Sequence, residues 1–152
     1  MGMHPLYTIG YELATIQTLV AALKQARVDL LVDVRAVASS RRPGFAKTAL
    51  SAGVEEAGIG YLHLRGLGTP KEGRIAARAG RHADLKRIYA AHIRTHEARG
   101  DLMTLADIVD SGQRACLLCL EASPEHCHRT LVAEALAAIV PIRVNHLFPI
   151  VK

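Results

Sequence analysis

The chain contains few cysteines, and their number argues against a disulfide framework. Only three occur among 152 residues, so at least one must remain unpaired. Two of them, Cys116 and Cys119, lie in one strand-like apolar run. Because disulfides persist mainly in oxidising compartments, this cysteine usage favours a cytoplasmic protein.

Long apolar runs are also missing. The sequence has no stretch of about 18 consecutive apolar residues, the minimum for a transmembrane helix. Its first residues, Met-Gly-Met-His-Pro-Leu-Tyr, lack the basic-then-apolar profile of a secretory signal. We therefore expect no membrane partner.

Several familiar catalytic motifs are absent. The chain has no G-x-G-x-x-G fingerprint, no G-x-S-x-G elbow, no H-E-x-x-H and no phosphate-loop pattern. The phosphatase spacing of a cysteine, five residues and an arginine is missing too, because Cys119 lies ten residues before Arg129 and Cys127 only two before it. These absences argue against a tyrosine phosphatase or a rhodanese.

The remaining bulk properties indicate one globular domain over residues 1–152. Half of the residues are hydrophobic, which is enough for a full core. The formal net charge is +5, so an anionic small molecule or a nucleic acid is a plausible partner. The basic segment 65–81 has no aromatic residues on which single-stranded nucleic acid could stack. Its glycines instead suggest a mobile loop that closes over a site.

Strand-like and helix-like patterns alternate along the chain. Apolar runs predict strands at 5–11, 29–35, 60–64, 114–121 and 142–148, and helical periodicity predicts helices after Thr15 and at 46–57, 83–97, 102–110 and 124–139. This alternation predicts a three-layer α/β domain of the Rossmann-like kind, with a mainly parallel sheet between helices.

Four of the predicted strands turn polar at the same end. They finish in Thr8–Tyr11, Asp33–Arg35, Tyr61–His63 and Cys119–Glu121. In parallel sheets, ligands bind at the carboxyl ends of the strands. We therefore expect one shared cleft there, with Thr8, Tyr11 and His63 among its binding residues. His63 is either a second base or a structural histidine.

The segment after the fourth strand is rich in chemistry. Ser123-Pro124 is suited to begin a helix, which would place Cys127, His128 and Arg129 in its first turn. A thiol there, beside cations and free N–H groups, is expected to have a lowered pKa. Cys127 is thus a candidate nucleophile or redox thiol, with His128 as a catalytic partner. The alternative is that Cys127 is a small buried residue.

The cysteines also have metal-like spacing, C-x2-C-x7-C-H from Cys116 to His128. However, Cys116 and Cys119 should point to opposite faces of their strand, so a zinc knuckle is not expected. A mixed site from Cys119, Glu121, Cys127 and a histidine is geometrically possible, but no metal ligand is predicted. Cys119 is interpreted as a core residue.

Charged residues end the second and the fourth predicted strands. Asp33 is expected either to orient a substrate or hold Arg129, or else to cap a neighbouring loop or form a buried ion pair. Arg35 is expected to bind an anion through its planar guanidinium. Glu121 is a candidate general acid or base, or a helix cap.

The hydroxyl-rich loop after Arg35 adds Ser40 and Arg41 as candidate anion ligands. Such a loop suits phosphate, although it is equally typical of a solvated turn.

These segments carry a family resemblance. TIGY at 8–11, DVRAVASSRRPGF at 33–45, YLHLRGLG at 61–68, LLCLEASPEHCHR at 117–129 and NHL at 145–147 resemble the domain-of-unknown-function family number 488. Two departures are Tyr11-Glu12, where the family usually has His-Ser, and Thr69, where a second glycine is usual. The resemblance implies an α/β fold but supplies neither a substrate nor a cofactor. Its motif positions here are Thr8, Gly10, Asp33, Arg35, Ser40, Arg41, Pro43, Phe45, Tyr61, Leu67, Gly68, Cys119, Glu121, Cys127, His128 and Arg129.

The functional hypothesis is an enzyme acting on a phosphate-bearing or other anionic substrate, such as a nucleotide or nucleic-acid component. Arg35, Arg41 and Arg129 would bind the anion, Cys127 would supply the thiol and Glu121 would move protons. The alternative is a non-catalytic module that binds a nucleotide or nucleic acid in the same basic cleft. The sequence does not determine a cofactor or an oligomeric state.

Overall fold

A computed structural model describes residues 2–124 and 127–149. Its strands are β1 (His4–Gly10), β2 (Leu30–Asp33), β3 (Gly60–His63), β4 (Ala115–Cys119) and β5 (Ile142–Leu147). Its α-helices are α1 (Ile16–Gln25), α2 (Lys47–Glu56), α3 (Lys71–Arg78), α4 (His82–His92), α5 (His96–Asp110) and α6 (His128–Ala137).

The strands form one parallel sheet in the order β3-β2-β4-β1-β5. Gly10 at the end of β1 pairs with Cys119 at the end of β4, and Asp33 at the end of β2 pairs with Leu118. The polar carboxyl ends of three central strands therefore meet at one edge. This architecture confirms the predicted three-layer α/β fold.

Alternation along the strands builds two cores, one on each face of the sheet. Tyr7, Ile9, Cys116 and Leu118 pack with residues of α1 and α2 on one face. Leu6, Ala115 and Leu117 pack with residues of α4, α5 and α6 on the other. Because side chains three apart in a strand face opposite ways, Cys116 is sealed beneath α1 and α2 while Cys119 is not.

The first helix begins as its sequence predicts. Thr15 caps α1, accepting a hydrogen bond from the Thr18 backbone N–H at 3.1 Å. Gly58 follows α2 with a φ of +83°, a conformation that favours glycine at a helix end. All five predicted strands are present, and each observed end lies within two residues of the predicted one.

The prediction of a mobile loop over 65–81 is wrong. This segment forms a short 3-10 turn, Arg65–Leu67, followed by α3. Its glycines allow close packing: a Cβ at Gly68 would lie 2.3 Å from the backbone nitrogen of Ala36, and one at Gly73 would lie 2.4 Å from Thr69 Cγ2. Glycine is needed where a neighbouring segment packs closely against the backbone, just as it is needed in a flexible turn.

The predicted helix over 83–97 is also corrected. The first helix, α4, ends at His92, and α5 begins at His96 rather than at Leu102. Thr95 is the cap that sequence reasoning missed, since its hydroxyl accepts a hydrogen bond from the Ala98 N–H at 3.3 Å.

The helix predicted from Pro124 begins later. Within the described residues α6 starts at His128, with Cys127 in the N-cap position, so Ser123 does not cap it. Glu125 and His126, which belong to the predicted helix, lie outside the described residues. His128 and Arg129 do occupy the first turn, as predicted.

No helix within residues 2–124 and 127–149 combines the length and apolarity needed to cross a membrane.

Candidate active site

A cavity of about 310 Å³ opens at the carboxyl ends of β1, β2 and β4. We call it the cleft. Residues from the strand ends, from the loop after β2, from α3 and α4, and from the start of α6 surround it. They are Tyr11, Arg35, Ala36, Val37, Ser39, Thr69, Arg74, Ala77, Arg78, Leu85, Cys119, Leu120, Glu121 and His128.

A thiol and an imidazole meet in the cleft. Cys119 Sγ lies 3.3 Å from His128 Nδ1. The other ring nitrogen, Nε2, donates a hydrogen bond to the Val34 carbonyl oxygen at 2.6 Å, so in the neutral ring Nδ1 is the acceptor that faces the sulfur. The pair is therefore a thiol beside a base whose orientation is fixed by a third group.

Local structure explains how this pair forms. Cys119 is the last residue of β4, and the next strand over, β2, ends next to Val34, so the backbone carbonyl of Val34 reaches the ring. The His128 ring also packs at 5.8 Å between centroids against Tyr89 of α4. Both Cys119 and His128 are buried, although both contribute to the cavity wall.

Glu121 lies beside the same thiol. Its Oε2 is 3.5 Å from Cys119 Sγ. A carboxylate here stabilises a positive charge on the neighbouring imidazole. Glu121, the candidate acid or base of the sequence analysis, therefore lies on the cavity wall next to the Cys119–His128 pair.

Cys127 does not have the environment that the sequence suggested. It is buried, and its Sγ lies 3.9 Å from His128 Nδ1. Burial raises the pKa of its thiol well above the usual range, and a contact with Cys119 adds to the shift. The expectation of a lowered pKa is therefore wrong, because desolvation and the contact with Cys119 outweigh the lowering by His128.

Asp33 and Arg35 form a buried ion pair. Arg35 Nε and Nη2 donate to the two Asp33 carboxylate oxygens at 2.9 and 2.7 Å. Nη1 donates to the Phe45 carbonyl at 2.8 Å and to the Tyr11 hydroxyl at 3.3 Å. The Asp33 alternative of a buried ion pair is the one observed, and the planar edge of Arg35 expected to hold an anion is occupied by Asp33.

Tyr11 and Tyr61 brace this pair from two sides. The Tyr11 ring stacks on Phe45 with centroids 4.7 Å apart and lines the cleft. The Tyr61 hydroxyl donates to Asp33 Oδ2 at 2.5 Å. Asp33 thus accepts hydrogen bonds from Arg35 and Tyr61, and these bonds fix the orientation of its carboxylate next to the cleft.

Arg129 serves the backbone instead of an anion. It is fully buried, and its Nη1 and Nη2 donate to the carbonyls of Glu121 and Ala122 at 2.5 and 3.3 Å. These contacts fasten the segment after β4 to α6. Gly10 packs against them so closely that a Cβ there would lie 1.8 Å from the Glu121 carbonyl oxygen.

Four other predicted binding residues lie outside the described cavity wall. Thr8 is buried and its hydroxyl bonds to His146 Nδ1 at 2.6 Å. His63 Nε2 bonds to the Arg35 carbonyl at 2.7 Å, which favours its structural interpretation. Ser40 accepts from the Arg42 N–H at 3.1 Å, and Arg41 is exposed. Thr8, His63 and Ser40 therefore bond to neighbouring residues of the fold, and Arg41 faces solvent.

Among the cleft residues that the sequence does not predict, three carry a thiol or a positive charge. Cys119 was interpreted as core, although it shares a strand face with Glu121, which was a usable signal. Arg74 and Arg78 come from α3, the segment interpreted as a loop. Their spacing of four residues places both on one side of that helix.

Three side chains could hold a metal ion. Among the described residues, the ligand atoms of Cys119, Cys127 and His128 lie within 4.8 Å of one another. The two sulfurs come from β4 and the N-cap of α6, and the nitrogen from the first turn of α6.

Comparison with known proteins supports the family resemblance. A family model described as Domain of unknown function DUF488 matches residues 15–136, most of the chain. No curated protein matches the chain significantly, and no solved structure does. The matched span includes β2, β4, the start of α6 and the whole of α3. The chain therefore belongs to the DUF488 family.

Proposed function

We propose that this protein is a thiol-dependent enzyme that acts on a small anionic substrate in the cleft, with Cys119 as the nucleophile. One observation carries the proposal: Cys119 Sγ is 3.3 Å from His128 Nδ1 on the cavity wall, and the ring is oriented by the Val34 carbonyl. This is the arrangement by which a neutral thiol is activated by an adjacent base.

The chemistry assigned to the pair follows from its atoms. The Cys119 proton moves to His128 Nδ1 as the sulfur bonds to an electrophilic centre of the substrate. The leaving group then departs with that proton. Water transfers its hydroxyl to the same centre, and its remaining proton returns to the sulfur, which regenerates the thiol. Glu121 stabilises the imidazolium that forms in between.

Anion binding is assigned to α3. Arg74 and Arg78 contribute to the cavity wall, and Arg74 Nη1 donates a 2.8 Å hydrogen bond to the Thr69 carbonyl. Arg35 adds little net charge because Asp33 neutralises it. Among the described residues Arg74 and Arg78 form no ion pair, and Glu121 is the one carboxylate of the described cavity wall, so these groups leave the cleft positive. A positive cleft favours a phosphate-bearing or carboxylate substrate.

The size of the cleft favours a small molecule over a nucleic-acid strand. Its volume of about 310 Å³ is at the lower end for ligand cavities. A mononucleotide or a smaller phosphate ester is therefore the preferred substrate class. The alternative of a binding module uses the same two arginines but requires no thiol.

A substrate panel tests the proposal. Nucleotides, phosphate esters and anionic thioesters would be incubated with the full chain, Cys119→Ser and the control Cys116→Ala, and products measured by mass spectrometry. We expect turnover that falls on the order of 100-fold or more in Cys119→Ser but persists in Cys116→Ala. Turnover that survives in Cys119→Ser would refute the nucleophile. Tight anion binding without turnover would favour the binding module.

A further inference from the structure

Cys119, Cys127 and His128 form a compact set of soft donor atoms. His128 Nδ1 is 3.3 Å from Cys119 Sγ and 3.9 Å from Cys127 Sγ. All three ligand atoms fall within 4.8 Å of one another, and all three residues are buried. Two sulfurs and an imidazole nitrogen are the ligands that zinc prefers in proteins.

The distances suit a single tetrahedral ion. With Zn–S near 2.3 Å and Zn–N near 2.0–2.1 Å, neighbouring ligands of a tetrahedral zinc lie about 3.5–3.8 Å apart. The observed sulfur–nitrogen distances of 3.3 and 3.9 Å lie on either side of this range. Small movements of the side chains would therefore equalise them around a central ion.

The surroundings of the imidazole support the same interpretation. Histidine ligands to zinc almost always donate their other N–H to a carbonyl or carboxylate. His128 Nε2 donates to the Val34 carbonyl at 2.6 Å, so Nδ1 is the ring nitrogen that faces the sulfurs. Two thiolates would also balance the charge of a divalent ion in this buried position.

We propose that Cys119, Cys127 and His128 bind one Zn²⁺, with the fourth coordination position open to the cleft. Cys119 and His128 both contribute to the cavity wall, so a ligand in the cleft can reach that position. Glu121 Oε2 lies 3.5 Å from Cys119 Sγ and contributes to the same cavity wall. A site with three protein ligands and an open position is the arrangement of catalytic zinc.

This inference uses two of the side chains assigned to the thiol chemistry, so one molecule either holds the ion or presents the free Cys119–His128 pair. Zinc bound to Cys119 and His128 would occupy both members of the reactive pair. Added Zn²⁺ is therefore expected to suppress any Cys119-dependent turnover. Because metal binding is measured without substrate, failure of one proposal does not decide the other.

Metal titration tests the site. The reduced full-length protein, freed of metal with a chelator, would be titrated with Co²⁺ and then Zn²⁺ while thiolate-to-cobalt absorption is recorded. We expect one equivalent to bind with strong thiolate bands in the parent and in Cys116→Ala, whose cysteine lies on the other face of the sheet. Cys127→Ser should weaken binding on the order of 100-fold.

X-ray absorption of the zinc-loaded parent protein identifies the ligand atoms of the zinc without any variant. Two sulfur ligands and at least one nitrogen ligand would support the proposal. A shell of nitrogen and oxygen alone, no thiolate band in the parent, or equal loss in Cys116→Ala and Cys127→Ser would overturn it. Because the first two results need no substitution, an unfolded Cys127→Ser variant would leave the test intact.

Discussion

The Asp33 carboxylate and the Arg35 guanidinium are joined by two hydrogen bonds, 2.9 and 2.7 Å long, where the carboxyl end of β2 meets the cleft. Asp33 is inaccessible to solvent and Arg35 is 6% exposed. Burial opposes a charge on Arg35, but the hydrogen bonds and charge of Asp33 outweigh it and raise the pKa of the guanidinium further. The pair is therefore buried and has no net charge, and its Arg35 member contributes to the cavity wall.

Breaking this pair should destabilise the fold. Asp33→Asn removes the negative charge but keeps the shape, which leaves a buried cation without its partner, at a cost of about 3–5 kcal/mol in the free energy of unfolding. Urea denaturation followed by circular dichroism would measure it. The matched control is Asp84→Asn, which removes the exposed Arg81–Asp84 pair. We expect it to cost about 1 kcal/mol or less. Equal losses would contradict the structural role of Asp33.

Gly10 should be intolerant of any side chain. A Cβ there would lie 1.8 Å from the Glu121 carbonyl oxygen and 2.9 Å from Arg129 Nη1. Gly10→Ala is therefore expected to push the segment after β4 outward and to lower the melting temperature. Gly100→Ala is the control, because no atom lies within 4 Å of its Cβ and it sits inside α5. That substitution should stabilise the helix by about 0.5–1 kcal/mol. Opposite signs are predicted, and a stable Gly10→Ala protein would contradict the packing described.

Anion binding should depend on α3. Isothermal titration calorimetry with inorganic phosphate and with a mononucleotide would compare the parent with Arg74→Gln and Arg78→Gln. Each change removes one cation from the cleft, so affinity should fall about tenfold, the equivalent of 1.4 kcal/mol. Arg99→Gln on α5 is the control, since Arg99 is exposed and outside the described cavity wall. An equal loss in Arg99→Gln would indicate diffuse charge attraction instead of a defined site.

Much of the fold could be predicted from the sequence because local signals and tertiary structure agree. The apolar run of β4 predicts a strand buried on both faces, and the observed strand is fully buried. Thr15 and the apolar periodicity after it predict a capped helix with one buried face, which is also observed. The segment 65–81 could not be predicted in this way. Its glycines resemble loop signals, yet Gly68 and Gly73 serve close contacts with Ala36 and Thr69 that only tertiary packing creates.

The site was predictable in location but not in the roles of its members. Strand polarity placed Glu121 and Arg35 at the cleft, where they lie. The sequence could not show that Asp33 already occupies Arg35, or that Arg129 turns inward to the Glu121 carbonyl. The sequence favours Cys127 over Cys119 because thiols at helix starts have lowered pKa values, but burial raises the pKa of Cys127 in the folded chain.

Thiol reactivity tests the central claim most directly. Competitive iodoacetamide labelling with peptide mapping, near neutral pH and with a chelator present, would give the alkylation rate of each cysteine in the parent and in His128→Gln. A glutamine can still donate to the Val34 carbonyl but cannot accept the thiol proton, and thermal melting would confirm that it folds.

We predict that Cys119 is alkylated first, because it alone of the three cysteines contributes to the described cavity wall. Cys116 and Cys127 should lag, since burial raises the pKa of both thiols. In His128→Gln the Cys119 rate should fall about tenfold, because the base that accepts the thiol proton is removed. Faster labelling of Cys127, or an unchanged Cys119 rate in a folded His128→Gln protein, would contradict the assignment of Cys119 and His128 as the reactive pair.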